Sequence, residues 1–250
     1  MNKLPPLTLA FWVMKICATT LGETAGDLLS MTLGVGYAAS SLLLLGLFGV
    51  SLLGQLRAPR YRPALYWTVI LTTSTAGTTL SDFMDRSLGL GYASGSALLV
   101  GLLLVTLALW RRSEHSLAVD RIASRRGELF YWTAILFSNT LGTALGDFLA
   151  DDSGLGFAGG ALLIGALLLA VVLARFATRL SGVALFWIAF VLTRPFGATL
   201  GDVLTKSHAQ GGLDFGTVGA SAILGAVLVA LVLLAMRGAR PAPALAAGRG

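Results

Sequence analysis

Charge is scarce in this sequence. Only 12% of its 250 residues are Asp, Glu, Lys or Arg, about half the roughly 25% usual in a soluble globular domain, and that shortage argues against a water-soluble enzyme. Cysteine is nearly missing: Cys17 alone allows no intramolecular disulfide and leaves the redox compartment unread. The two histidines, His115 and His208, have no partners at metal-ligand spacing, so imidazole and thiolate metal chemistry lacks its ligands. No nucleophile elbow, phosphate-binding loop or HExxH motif occurs. An intramembrane aspartyl protease would carry Gly-x-Gly-Asp, but Thr24, Thr79, Ala144 and Thr199 stand where its first glycine would be. The chain is therefore expected not to be an enzyme.

What the sequence has is apolar length. Hydrophobic residues make up 56% of it, in runs near the roughly 20 residues that cross a hydrocarbon core about 30 Å thick. A polytopic all-α membrane protein is expected. The net charge of +6 would suggest nucleic acid in a soluble protein, but these basic residues sit in short loops between apolar runs, where membrane topology puts them, so nucleic-acid binding is discounted. The first apolar stretch, from about Leu7, is interrupted by Lys15, Glu23 and Asp27 and reads as a retained transmembrane helix rather than a signal peptide.

The chain repeats itself. FWVMKICATTLGETAGD (Phe11 to Asp27), YWTVILTTSTAGTTLSD (Tyr66 to Asp82), YWTAILFSNTLGTALGD (Tyr131 to Asp147) and FWIAFVLTRPFGATLGD (Phe186 to Asp202) align without a gap. Their tryptophans, Trp12, Trp67, Trp132 and Trp187, are 55, 65 and 55 residues apart by subtraction. The longer middle interval contains a basic linker, 111–128. Each copy reads as a polar-flecked helix, a Gly-rich turn and a Leu/Ala/Gly helix, giving repeats over approximately 8–55, 64–110, 129–176 and 183–236. Eight spans follow, at approximately 8–30, 37–55, 64–86, 92–110, 129–150, 157–176, 183–204 and 214–236.

Loop charge sets the expected orientation. Lys3, Arg57, Arg60, Arg62, Arg111, Arg112, Arg121, Arg125, Arg126, Arg175, Arg179, Arg237, Arg240 and Arg249 fall on one side; only Arg86 and Lys206 fall on the other. Both termini and the inter-repeat loops are thus expected in the cytoplasm, the Gly-rich turns outside. With two spans per repeat, all four copies enter the membrane in the same direction. That parallel arrangement implies pseudo-symmetry about the membrane normal and excludes a simple inverted-repeat transporter.

Four aspartates occupy equivalent positions: Asp27, Asp82, Asp147 and Asp202. Each lies fifteen residues beyond its tryptophan, roughly 22 Å along a helix, so tryptophans at the cytoplasmic interface would put the aspartates in the outer third of the bilayer. Four related helices can bring the carboxylates together on the pseudo-axis; the plainer reading is that each Asp ends or caps a helix. Four-residue spacing also draws polar stripes: Lys15, Thr19, Glu23 and Asp27; Ser74, Thr78 and Asp82; Asn139, Thr143 and Asp147; Arg194, Ala198 and Asp202. These could line a hydrated path or serve as interhelical glue. Glu23 and Arg194 break the four-fold pattern, and an ion pair between neighbouring first and fourth repeats is expected. Lys15, three residues from Trp12, is expected to snorkel to cytoplasmic headgroups. Gly22, Gly77, Gly142 and Gly197 read as close-packing positions, and Pro195 as a kink in the seventh span.

The (F/Y)W…G…(G/S)D unit with its LGxGY turns resembles a bacterial family of integral membrane proteins defined by a repeat of unknown function, over approximately residues 8–236. The resemblance implies a four-repeat, eight-span inner-membrane protein and carries no activity. From the residues, the expectation is a transporter or channel for a small cation. Four carboxylates with Thr and Asn oxygens suit a hard divalent ion, Mg²⁺, Mn²⁺ or Ca²⁺, as substrate, and proton coupling is a further expectation because crowded carboxylates titrate as a group. The alternatives are a non-transporting scaffold or accessory subunit whose basic cytoplasmic loops bind anionic lipid, and an organic-cation carrier.

Overall fold

The computed structural model describes residues 4–122 and 124–238. Lys3, Arg240 and Arg249, assigned above to the basic side, lie outside the described residues. Among the described residues there are eight long helices: α1 (Leu9–Asp27), α2 (Tyr37–Arg57), α3 (Pro63–Asp82), α4 (Tyr92–Glu114), α5 (Arg125–Asp147), α6 (Gly156–Ala177), α7 (Gly182–Thr205) and α8 (Gly216–Gly238). Local chemistry sets several starts. The Thr8 hydroxyl accepts the Phe11 N–H at 3.4 Å ahead of α1, and the Ser124 hydroxyl accepts the Gly127 N–H at 2.8 Å ahead of α5. Pro63 opens α3, where its missing N–H has no helical partner to lose.

α1, α3 and α5 each pass, directly after the repeat aspartate, into a five-residue π-helical turn: Leu28–Thr32, Phe83–Ser87 and Phe148–Asp152. The first expected span therefore runs through α1 into its π turn. The Gly-rich turns that follow are a backbone requirement. Each needs two left-handed residues, met by Gly34 and Gly36 at φ 69° and 82° in the first, and by Asp214 and Gly216 at 59° and 65° in the fourth. Between the repeat pairs, α4 runs on to Glu114 and α5 starts at Arg125, so the connection between helices is shorter than the basic stretch 111–128 and holds one short 3₁₀ turn, Val119–Arg121. α7 continues through Pro195 as one helix from Gly182 to Thr205.

The helices form two layers. α1 packs against α3 and α7, and α5 packs against the same two, so the first helices of the four repeats close into an inner ring. Each second helix packs on the first helix of the following repeat: α2 on α3, α4 on α5, α6 on α7, and α8 back on α1. Ser221 donates to Thr24 Oγ1 at 2.9 Å across that last contact. Glycine sets the ring's spacing. A Cβ on Gly77 of α3 would lie 2.9 Å from the Asn139 carbonyl carbon and the Thr140 nitrogen of α5. Its equivalents Gly22, Gly142 and Gly197 meet Ser74 of α3, Arg194 and Pro195 of α7, and Thr19 and Thr20 of α1, in the same cyclic order.

α2, α4, α6, α7 and α8 are long and apolar enough to cross a membrane. α1, α3 and α5 fall short on that measure for a physical reason: their polar residues are turned into the ring. Thr19, Glu23, Ser74, Thr78, Asn139 and Thr143 are all buried. The outer helices keep their apolar faces outward, with Leu42, Leu104, Leu162 and Val218 exposed.

Candidate functional site

The ring interior is layered along its axis, because four-residue spacing stacks equivalent positions of the four inner helices at successive levels. At the end where the repeats are joined, aromatic side chains close it. Tyr66 and Tyr131 share a hydroxyl–hydroxyl hydrogen bond of 2.7 Å, and Tyr66 packs on Trp132, Phe11 on Trp67 and Tyr131 on Trp187 at centroid distances of 5.5, 5.8 and 6.4 Å. Trp67, Trp132 and Trp187 are buried. They pack into a plug between the helices at that end.

One turn further in lies Lys15, and here the snorkelling expectation is corrected. Lys15 is fully buried, with Nζ 3.5 Å from Asn139 Oδ1 and 4.3 Å from the centroid of the Phe190 ring. Its proximity to Trp12 in sequence misleads because the Lys15 side chain points between the inner helices, toward α5 and α7. Asn139 in turn donates to Thr73 Oγ1 at 2.6 Å, and Thr19 donates to backbone carbonyls of its own helix and, at 3.2 Å, to that of Thr193.

At the next level Arg194 meets Glu23. Its Nη2 lies 2.8 Å from Glu23 Oε2 and 2.6 Å from each of Thr78 Oγ1 and Thr143 Oγ1. The two hydroxyls also donate to Glu23 Oε2, at 3.3 and 3.1 Å. One helix from each repeat thus contributes to this cluster: Glu23 from α1, Thr78 from α3, Thr143 from α5 and Arg194 from α7. Desolvating both charges is expensive, and the two threonines supply the extra hydrogen bonds that such a pair needs.

The four aspartates lie at the opposite mouth, all buried, three of them as the last residues of α1, α3 and α5 and Asp202 three residues before the end of α7. They do not meet as a bare acidic cluster. Arg86, in the π turn after α3, bridges Asp82 and Asp147 at 3.2 and 3.0 Å; Lys206, capping α7, bridges Asp27 and Asp202 at 3.6 and 3.3 Å. Burial works against the Lys206 ammonium, but Asp202 and Asp27 outweigh it and hold the group above the ordinary lysine range. The aromatic residues after the Gly-rich turns attend these cations. Arg86 donates to Tyr37 at 3.3 Å and lies 5.7 Å from the Tyr92 ring centroid, while Lys206 lies 5.9 Å from that of Phe157. Among the described residues, carboxylate oxygens of Glu23, Asp147 and Asp202 come within 4.8 Å of one another, a spacing and donor type suited to a hard cation. Asp27 and Asp82 stand outside that trio, each sharing its bridging cation with one member of it, Lys206 with Asp202 and Arg86 with Asp147.

Arg86 and Lys206 were not singled out from the sequence, although a signal existed: they are the two basic residues on the side otherwise free of them. Lys15 was noticed and misplaced.

Residues 10–61, 65–116, 130–181 and 185–240 match the family described as "Repeat of Unknown Function (DUF347)". The chain is a membrane protein of that family, built from four copies of its repeat. No curated protein and no solved structure matches it.

Proposed function

We propose that this chain is an eight-span inner-membrane transporter or channel for a small cation, with both termini and the inter-repeat loops in the cytoplasm and the aspartate mouth facing outward. The observation that carries the reading is the imbalance at that mouth. Asp27, Asp82, Asp147 and Asp202 share two basic side chains, and Glu23 brings a fifth carboxylate within 4.8 Å of two of them. Such a site attracts cations, and its oxygens favour Mg²⁺, Mn²⁺ or Ca²⁺ over softer metals. Eight spans follow if α1, α3 and α5 cross within the sheath of outer helices, where their polar residues face the ring and not lipid.

The mouth's own cations give the reading a mechanism. Arg86 and Lys206 occupy carboxylate oxygens that an entering ion needs, so the ion enters by displacing a tethered ammonium or guanidinium. Inward of the carboxylates, Arg194 and Lys15 repel a bare cation, so passage requires the Glu23–Arg194 pair to open, and the aromatic plug must part before release. These barriers favour a carrier over an open pore. One observation favours the scaffold reading instead: every repeat aspartate already has a basic partner, which is what a purely structural set would have.

Proteoliposome flux separates the two. Uptake of one of Mg²⁺, Mn²⁺, Ca²⁺, Na⁺, K⁺ or H⁺ is expected with the native chain, and its loss in a folded variant carrying Asp27→Asn, Asp82→Asn, Asp147→Asn and Asp202→Asn. Undiminished flux in that variant would overturn the cation reading; absence of flux for every ion in the native chain would favour the scaffold.

A further inference from the structure

At the joined end, α4 and α7 both pack on α5, and the last turns of α4, the start of the linker and the first turns of α7 enclose a cavity of about 480 Å³, within the roughly 300–1,000 Å³ of small-molecule sites. Its outer wall is polar: Arg111, His115, Ser116 and Ser181. Its inner wall is apolar, with Leu107 and Trp187 joined by Val183 and Ala184 of the first turn of α7. The division follows from helix direction. α4 ends and α7 begins at this level, so Leu107 lies roughly 6 Å inward of Arg111, and Trp187 roughly 9 Å inward of Ser181.

The linker holds this shape. His115 closes α4 in a left-handed conformation, φ 56°, at a position that suits glycine, and so sets an imidazole on the cavity wall. Two residues on, the Leu117 carbonyl accepts the Trp187 indole N–H at 3.0 Å and ties the linker to α7. The polar groups are unspent. Among the described residues Arg111 has no ion pair, and the Ser181 hydroxyl makes no capping bond to the helix it precedes.

Charge and shape together select the occupant. No carboxylate is among the lining residues, whereas the adjoining cavity that shares His115 and Ser116 includes Glu114. An anion is therefore favoured, and a zwitterionic headgroup would bring an ammonium against Arg111 with nothing to pair it. Inorganic phosphate would use the outer wall alone and leave the apolar wall wet. Both framing helices are apolar and long enough to cross a membrane, which puts their basic ends among headgroups.

We propose that this cavity binds one anionic phospholipid, with its phosphate against Arg111, His115 and the two serine hydroxyls and the start of an acyl chain over Leu107, Val183, Ala184 and Trp187. The lipid braces the linker against α7 and so joins the second repeat to the fourth. Whether a cation passes through the ring does not bear on this site.

Native mass spectrometry of the purified, delipidated full-length chain, titrated with phosphatidylglycerol in detergent, tests this. One phosphatidylglycerol is expected to bind at least about tenfold more tightly than phosphatidylcholine. Arg111→Gln combined with His115→Asn should weaken it by about tenfold. Ala184→Phe, which fills the apolar half from an exposed position without changing charge, should weaken it as much. Arg57→Gln combined with Arg60→Gln, exposed on the same basic side, should leave it unchanged; thermal unfolding shows that each variant is folded. Absence of a tightly bound lipid, equal affinity for phosphatidylcholine, full competition by inorganic phosphate, or undiminished binding in the Arg111 and His115 variant each overturns the proposal. An equal loss in the Arg57 and Arg60 variant does so too, because the attraction would then belong to the whole basic side. The readout is lipid binding without an ion gradient, so it succeeds or fails separately from the cation reading.

Discussion

The inner and outer helices of each repeat alternate along the chain yet obey opposite rules. α1, α3, α5 and α7 bury serines, threonines and nearly every charge near the axis, and they approach closely enough that single glycines touch the neighbouring backbone. α2, α4, α6 and α8 present leucine and valine outward, and several of their glycines, Gly46, Gly101 and Gly225 among them, have open space where a side chain would go. The same residue type therefore has two meanings here. In the ring, glycine fixes distance; in the sheath, it is compositional.

The contrast breaks most severely at its most polar point. Replacing Arg194 with Met strands the Glu23 carboxylate among two threonines, and Glu23→Gln strands the guanidinium; each is expected to cost about 3–5 kcal/mol. The double variant should be less damaged than the sum of the two. Thermal unfolding in detergent, run as a double-mutant cycle, measures the coupling, and strict additivity would mean the pair contributes no interaction of its own. A smaller effect separates the two kinds of glycine. Gly77→Ala drives a methyl into the Asn139–Thr140 peptide and should cost about 1–3 kcal/mol, whereas Gly101→Ala, with nothing within 4 Å, should change stability by no more than about 1 kcal/mol, in the stabilising direction through helix propensity. Equal losses at both sites would erase the distinction between ring and sheath.

How far the sequence foretells this architecture depends on which forces act locally. Apolar length and loop charge are local, so four repeats of two helices can be read directly, and Phe11 to Asp27 aligns with its three counterparts residue for residue. Glu23 and Arg194 stand out because each breaks a four-fold pattern, and the structure brings them to 2.8 Å. Ring closure is not local. Nothing within α2 says that it packs on α3 of the next repeat in preference to its own α1. Lys15 fails for a related reason: next to a tryptophan, a lysine suggests an interface, and only the closed ring shows that its side chain is enclosed between helices. The π turns after Asp27, Asp82 and Asp147 leave no mark in composition, although the second of them carries Arg86 round to two aspartates on different helices.

The contact between α8 and α1 also sets a timetable for biosynthesis. α1 emerges well before α8, so during translation the flank that carries Thr24 and Cys17 waits for Ser221 and Leu224. A nascent chain stalled after three repeats has neither a closed ring nor a covered first helix. Stacked repeat arrays lose a unit and keep the rest, since each unit needs only its neighbours. Here the fourth repeat's neighbour is the first, so removing either one opens the ring and uncovers a flank of α1 or α7.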